Sequence, residues 1–139
     1  MTRVILDTGP LVALLDENES SHSWAAEQLK TIQIPLITCE AVIAEACFLL
    51  RSFPAGIANI GNWIEREFIE PRFDLAREAE ATFALLKKFS DVPMSFADAC
   101  LVRLSTQHPE HKVFTLDKDF LIYRTSPRQR IPVLMPGVE

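Results

Sequence analysis

The apolar positions of this chain fall into short runs separated by longer stretches of helical spacing, and that alternation predicts an architecture before any chemistry is considered. RVIL, residues 3 to 6, reads as a short buried strand closed by Asp7, and Pro10, at a first helical position, opens LVALLDE as a short helix. A second helix is predicted over SSHSWAAEQLKTI, a second strand over IPLIT, bounded by Pro35, and a strongly apolar helix over CEAVIAEACFLLRS. Another helix fits IANIGNWIERE, and FIEPRF is a candidate third strand. LAREAEATFALLKKF has amphipathic spacing, with Leu75, Ala79, Phe83 and Leu86 on one side and Arg77, Glu78 and Glu80 largely elsewhere. SFADACLVRLSTQ gives the next helix, HKVFTL a strand ending at Asp117, and PVL, after Pro132, a last short strand. Short apolar strands alternating with helices imply a parallel sheet covered on both faces.

Composition narrows this picture. With 139 residues and 48% hydrophobic side chains, the chain has the size of one domain and can bury a substantial core, so residues 1 to 139 are expected to form a single unit. No apolar run approaches the roughly 20 residues needed to span a bilayer, and the N-terminus lacks the pattern of a signal peptide. A soluble cytoplasmic protein without a membrane partner is expected. Cys39, Cys47 and Cys100 are odd in number and set in apolar helical stretches, which suits reduced core thiols better than a disulfide or zinc framework. The four glycines, Gly9, Gly56, Gly61 and Gly137, allow neither a Walker A loop nor a G-x-G-x-x-G dinucleotide turn. A formal net charge of -5 argues against a generally basic nucleic-acid-binding surface; Arg124, Arg128 and Arg130 cluster in YRTSPRQR, which reads first as a solvated loop and second as a local patch facing RNA phosphates.

Four acids fit a purely structural account poorly. Asp7 ends a strand, Glu45 interrupts AVIAEACFLL, Asp98 sits in FADACLV, and Asp117 ends VFTL with Asp119 two residues later. Glu45 stands out because the residues from Ala41 to Leu50 are otherwise apolar, and burying an unpaired carboxylate is costly unless its pKa shifts or a cation meets it. A partly exposed Glu45, or one paired with Arg51, is the plain alternative. Asp98 also has capping-box spacing from Ser95 and would sit favourably at the positive end of a helix dipole. Asp7 and Asp117 could simply close strands and start turns.

Their coincidence is what argues for function. In open α/β sheets the functional crevice lies beyond the carboxyl ends of the strands. Should the strands ending in Asp7 and Asp117 be neighbours, the four carboxylates would meet in one cleft. Two like charges ~4 Å apart repel by about 4 kcal/mol at an effective dielectric of about 20, so the cluster calls for a cation. Oxygen-only ligands favour Mg²⁺ or Mn²⁺ over zinc, and magnesium commonly binds phosphate oxygens. Metal-assisted phosphodiester hydrolysis is the chemistry that follows.

The series ILDTGPLVALLD, VIAEACFLL, SFADACLV and VFTLDKDF resembles the PIN-domain ribonucleases, and most of all the VapC-type toxins of bacterial toxin-antitoxin pairs. The likeness runs in order from about residue 3 to residue 122. It implies a three-layer α/β/α sandwich around a central parallel sheet of four to five strands, an acidic pocket binding Mg²⁺ or Mn²⁺, and endonucleolytic cleavage of RNA. By position it assigns catalytic roles to Asp7, Glu45, Asp98 and Asp117, metal contact to Asp7, Asp98, Asp117 and Asp119, and supporting roles to Thr8 and Thr115. It further implies an RNA substrate, with transfer RNA a common target class, a cognate antitoxin, and a homodimer.

Other readings stay open at this level. Asp-Thr-Gly also resembles the aspartic protease triplet, though a mostly helical chain does not suit that fold. A phosphatase or phosphoacceptor built on Asp7 lacks the D-x-D pattern because position 9 is Gly. A PIN-like module that binds RNA or a protein without cutting is the remaining alternative. His108-Pro109-Glu110-His111 reads as a surface turn, its proline spoiling a helical ligand pair, and Trp24 and Trp63 read as core or dimer contacts.

Overall fold

The structure is a computed structural model describing residues 1–138. Its centre is β1 (Val4–Leu6), three side chains with no solvent exposure that can be accommodated only in the middle of a sheet covered on both sides. β2 (Leu36–Thr38) and β4 (Lys112–Phe114) flank it, β3 (Ile69–Pro71) lies outside β2 and β7 (Val133–Leu134) outside β4, giving the order β3-β2-β1-β4-β7 with every pair parallel. Ile5 stands opposite Ile37 on one side and Val113 on the other. The strand order reverses at β1, between β2 and β4, where Asp7 leaves the sheet.

Helices α1 (Thr8–Leu15), α2 (His22–Leu29) and α4 (Pro54–Glu65) pack on the sheet face that carries Leu6, Leu36 and Ile69, through Leu14, Leu29 and Trp63. α6 (Phe96–Gln107) runs along β1 and β4, α5 (Leu75–Lys88) packs against α6, and α3 (Glu40–Leu49) touches α1, α4 and α6. The arrangement is the helix-flanked parallel sheet that the hydrophobic alternation implies. Its five strands are at the upper end of the expected range. Trp24 packs against Phe114 with ring centroids 5.5 Å apart, as a core contact. No helix is long and apolar enough to cross a membrane among the described residues.

Several local expectations are corrected. α1 begins at Thr8, so Pro10 occupies the third helical position, still within the first turn where its missing N–H has no intrahelical partner to lose. In α5 the buried side is centred on Thr82, while Leu75 and Phe83 are exposed, because the helix rests on α6 through a narrower stripe than its apolar content suggests. In α3 only Val42 and Ala46 are buried, so the apolar run leaves Phe48 and Leu49 facing outward. The arginine-rich segment after Tyr123 forms a two-stranded antiparallel hairpin of β5 (Arg124–Ser126) and β6 (Gln129–Arg130). His111 is buried, contrary to a surface turn.

Candidate active site

Asp7 follows β1 and precedes α1 with no intervening loop. Its backbone is extended, its N–H donates to the Phe114 carbonyl on β4 (3.0 Å), and its Oδ1 accepts from the Thr8 N–H (2.7 Å), capping α1. The side chain is 7% exposed, so the remaining oxygen also needs a donor, and Thr115 at the end of β4 supplies it: Oγ1 donates to Asp7 Oδ2 at 2.7 Å. The same hydroxyl accepts from the Asp117 N–H (2.9 Å). Thr115 therefore joins the first acid to the fourth. Asp117 in turn caps the 3-10 turn Lys118–Leu121 by accepting from the Asp119 N–H (2.9 Å).

Gly9 lies at this approach. A Cβ there would lie 3.2 to 3.4 Å from the Leu116 side chain, a tight contact that a larger residue could occupy only if Leu116 shifted slightly.

Asp98 arrives from the opposite wall, in the first turn of α6. The Ser95 side chain caps that helix by accepting from the Asp98 N–H (3.0 Å), as the spacing predicts, but the carboxylate does not complete a capping box. Asp98 Oδ2 instead accepts from the hydroxyl of Tyr123 at 2.8 Å. Tyr123 is wholly buried, and sequence reasoning missed it. It is the chain's only tyrosine, and a buried phenol needs a polar partner, but nothing in the spacing points to Asp98.

Glu45 is exposed, which corrects the argument that made it prominent. It nevertheless faces the same cleft, where Thr8 Oγ1 donates to its Oε1 at 3.3 Å. Arg51, the alternative partner, donates to the Phe48 carbonyl and lies over the Phe48 ring. Asp7, Thr8, Glu45, Asp98, Asp117 and Asp119 thus line one open pocket of about 450 Å³, together with Gly9, Leu49, Pro93, Ser95 and Leu116. Thr115 stands behind it. No Lys, Arg or His lines the pocket, and the ion pairs among the described residues all lie elsewhere.

The electrostatics follow. Burial raises the Asp7 carboxyl from 3.8 to about 6, against the two hydrogen bonds that favour its charged form and with added repulsion from Asp98 and Asp117. Burial also raises Asp98, helped by Asp117 and Glu45 and opposed by the bonds from Tyr123 and Ser95. Asp119 moves in the same direction, through partial desolvation and Asp117. Tyr123 is pushed up by burial and by the carboxylates it faces, so it stays a donor.

As the side chains stand, no three acidic, histidine or cysteine groups among the described residues are drawn together closely enough to cage a metal ion. Both oxygens of Asp7 and one of Asp98 are turned to protein donors. The donor set itself fits a hard divalent cation: it is all oxygen, lacks a protein counter-charge, and its buried carboxyl groups are raised by desolvation first, with mutual repulsion adding to it. A parallel sheet with a distributed set of acids leaves no place for the two-carboxylate protease reading of Asp7. Arg124, Arg128 and Arg130 do not line the pocket; Arg124 Nη1 donates to the carbonyls of Leu121, Ile122 and Tyr123 at 2.8, 2.8 and 2.9 Å, while Arg128 and Arg130 are exposed on the hairpin.

Comparison with known proteins agrees with this fold. Residues 4–125 match the family model of the PIN domain. The chain is 26% identical over 119 residues to Ribonuclease VapC26 of Mycobacterium tuberculosis (strain ATCC 25618 / H37Rv), covering 83% of this chain and 87% of the relative. Among solved structures it resembles VapC20 of Mycobacterium tuberculosis, described as a Sarcin-Ricin loop cleaving toxin, with a TM-score of 0.70 at 18% identity over 84% of this chain and 91% of the other. At that identity the second likeness speaks for the fold.

Proposed function

The chain belongs to the PIN-domain family, and from that premise we propose that it is a divalent-metal-dependent endoribonuclease of the VapC type, the toxin half of a toxin-antitoxin pair. One observation carries the reading: five carboxylates, from Asp7, Glu45, Asp98, Asp117 and Asp119, line a single open pocket at the strand-order reversal without a basic side chain among them. Such a pocket repels a phosphodiester unless a cation stands between. A relative named as a ribonuclease supports RNA as the substrate.

In this proposal Asp7, Asp98, Asp117 and Asp119 hold Mg²⁺ or Mn²⁺. When bound, the ion lowers the pKa of the attacking water and offsets charge on the scissile phosphate. The chain's own residues do the rest. Thr115 fixes the Asp7 carboxylate and the backbone before Asp117 through one hydroxyl, and Tyr123 fixes Asp98, so the acids keep their orientation as the pocket fills. Glu45, exposed and steadied by Thr8, is placed to accept a proton from water at the pocket mouth. Arg128 and Arg130, with Arg124 at the base of their hairpin, are the candidate contacts to flanking RNA phosphates.

The partner proposals rest on exposed apolar side chains. Leu49 lines the acidic pocket, Phe48 and Phe53 are exposed as well, and Phe83 and Phe96 pair in the open with centroids 6.1 Å apart. Exposed apolar side chains in that number favour protein contacts, and we assign them to an antitoxin and a second copy of the chain, in the cytoplasm. Transfer RNA is the substrate class to test first.

The test is cleavage of defined RNAs by the purified protein with Mg²⁺, with Mn²⁺, and with chelator. Cutting that requires the metal and disappears in Asp7→Asn and Asp98→Asn is the expected result. RNA binding without metal-dependent cleavage would overturn the enzyme reading and leave a binding module.

A further inference from the structure

The strands that end in the acidic pocket begin in a basic one. Side chains along a strand alternate between faces, so Arg3 shares a face with Ile5 and Asp7, and His111 shares one with Val113 and Thr115. With Ile5 opposite Val113, Arg3 stands beside His111, and the Lys112 N–H donates to the Arg3 carbonyl at 3.0 Å. On the other side of β1, Pro35 leads into Ile37, which faces Glu70, and Arg72 follows two residues later on the same face. Arg3, Gln33, Arg72 and His111 line a pocket of about 170 Å³ there, floored by Pro35 and Ile37.

Two features single it out. His111 is 8% exposed, and its Nδ1 is buried without a hydrogen-bond partner, an exception in a folded protein. The charge around it is also unbalanced. Arg3 makes no ion pair among the described residues, and Arg72 is bonded to Glu70 at 2.6 Å. His108 brings its ring to 5.0 Å from that of His111. Glu110 is the acid that opposes this cationic surrounding at His111, and it does not prevail: burial, His108, Arg3 and Arg72 together lower the pKa of the imidazole.

The geometry points to an anion site in which Arg3, Arg72, Gln33 and His111 bind one tetrahedral oxyanion, a phosphate either free or at the end of a polynucleotide. A guanidinium fork matches phosphate oxygens, a ring N–H of His111 and the Gln33 amide are further donors, and the anion relieves the mutual repulsion of the cations. The volume is below the ~300 Å³ at which pockets begin to hold drug-sized ligands, so it suits a single phosphate rather than a nucleoside. Arg3 and Asp7 are four residues apart along β1, about 13 Å of extended chain, so this site is separate from the acidic pocket.

The test is titration of inorganic phosphate into the whole protein with chelator present, followed through the His111 ring nitrogens and the Arg3 Nε by NMR. Saturable shifts at both are expected, with the imidazole titrating at higher pH when phosphate is bound and the amides of Asp7 and Asp98 unmoved. Arg3→Gln, at an exposed position that should fold normally, is expected to weaken binding about tenfold, the loss of one charge-assisted contact. Displacement of phosphate by a 5′-phosphorylated oligoribonucleotide, and not by its 5′-hydroxyl counterpart, assigns the site to a polynucleotide end; no displacement by either assigns it to the free ion. Shifts that never saturate, or that saturate equally in wild type and in Arg3→Gln and Arg72→Gln, overturn the proposal.

Discussion

The two ends of β1 and β4 differ in charge: along one stripe Arg3 and Ile5 lead to Asp7, and along the other His111 and Val113 lead to Thr115, whose hydroxyl holds the Asp7 carboxylate. At the carboxyl end the acids are gathered without a basic neighbour, and each buried carboxylate is held by hydroxyls or backbone N–H groups. At the amino end two arginines and a buried histidine are gathered with one paired acid, and a ring nitrogen has no partner. The ends are about 13 Å apart along the strand, too far for an ion pair between them. The lesson is that donors orient a carboxylate without cancelling its charge. An excess of either sign that the fold orients but does not pair is directed at something outside the chain.

The sharpest way to break the comparison is to remove one charge from the acidic end. Asp7→Asn is expected to lower the rate of RNA cleavage by about 1,000-fold or more, the size of several kcal/mol of lost transition-state stabilisation. It should leave the metal-free protein no less stable at neutral pH. The sign follows from the raised carboxyl: with a folded value of about 6 against 3.8, Asp7 favours the folded state fully below about 3.8, and that contribution is lost as pH rises through about 6. A shift of that size corresponds to about 3 kcal/mol, so metal-free wild type should lose stability between pH 4 and 7 and Asp7→Asn should lose much less, as read by denaturant unfolding at both pH values.

Tyr123→Phe comes next. It leaves the core filled but takes the donor from Asp98, and a cleavage rate lower by about tenfold to a hundredfold is expected, together with an acid limb of the pH-rate profile moved to higher pH because that bond favours the ionised acid. An unshifted limb would mark Tyr123 as packing only. Thr115→Val removes one donor and one acceptor at once and should destabilise by about 1–3 kcal/mol in thermal or denaturant unfolding, with the Asp7 carboxyl rising further. The smallest effect belongs to the other end. Arg3→Gln should change the turnover rate at saturating RNA by less than about twofold and stability by no more than about 0.5 kcal/mol, as expected for an exposed side chain outside the acidic pocket.

The acidic end was largely legible in the residues because its signals are local. An acid closing a buried strand marks Asp7 and Asp117, and Ser95 three residues before Asp98 marks a helix start. The other contributions depend on packing. An apolar run around Glu45 implies a covered helix, whereas α3 buries only the stripe of Val42 and Ala46, and Glu45 reaches the pocket from an exposed position, the plainer of the two alternatives. Tyr123 meets Asp98 across 25 residues, at no regular spacing. His111 followed a proline in a polar tetrapeptide, which reads as surface until the parallel pairing of β4 with β1 draws it against Arg3. Leu75 and Phe83 satisfy helical periodicity yet lie outside the narrow contact that α5 makes with α6.

The central claim is that the carboxylates at the ends of β1 and β4 form a site for a divalent cation, and the Asp7 carboxyl reports on it. Its titration, followed by ¹³C NMR of the side-chain carboxyl without and then with Mg²⁺, is predicted to centre at about 6 in the metal-free protein and to fall to or below its ordinary 3.8 when the ion is present. A titration that stays at about 6 at every Mg²⁺ concentration would contradict the account.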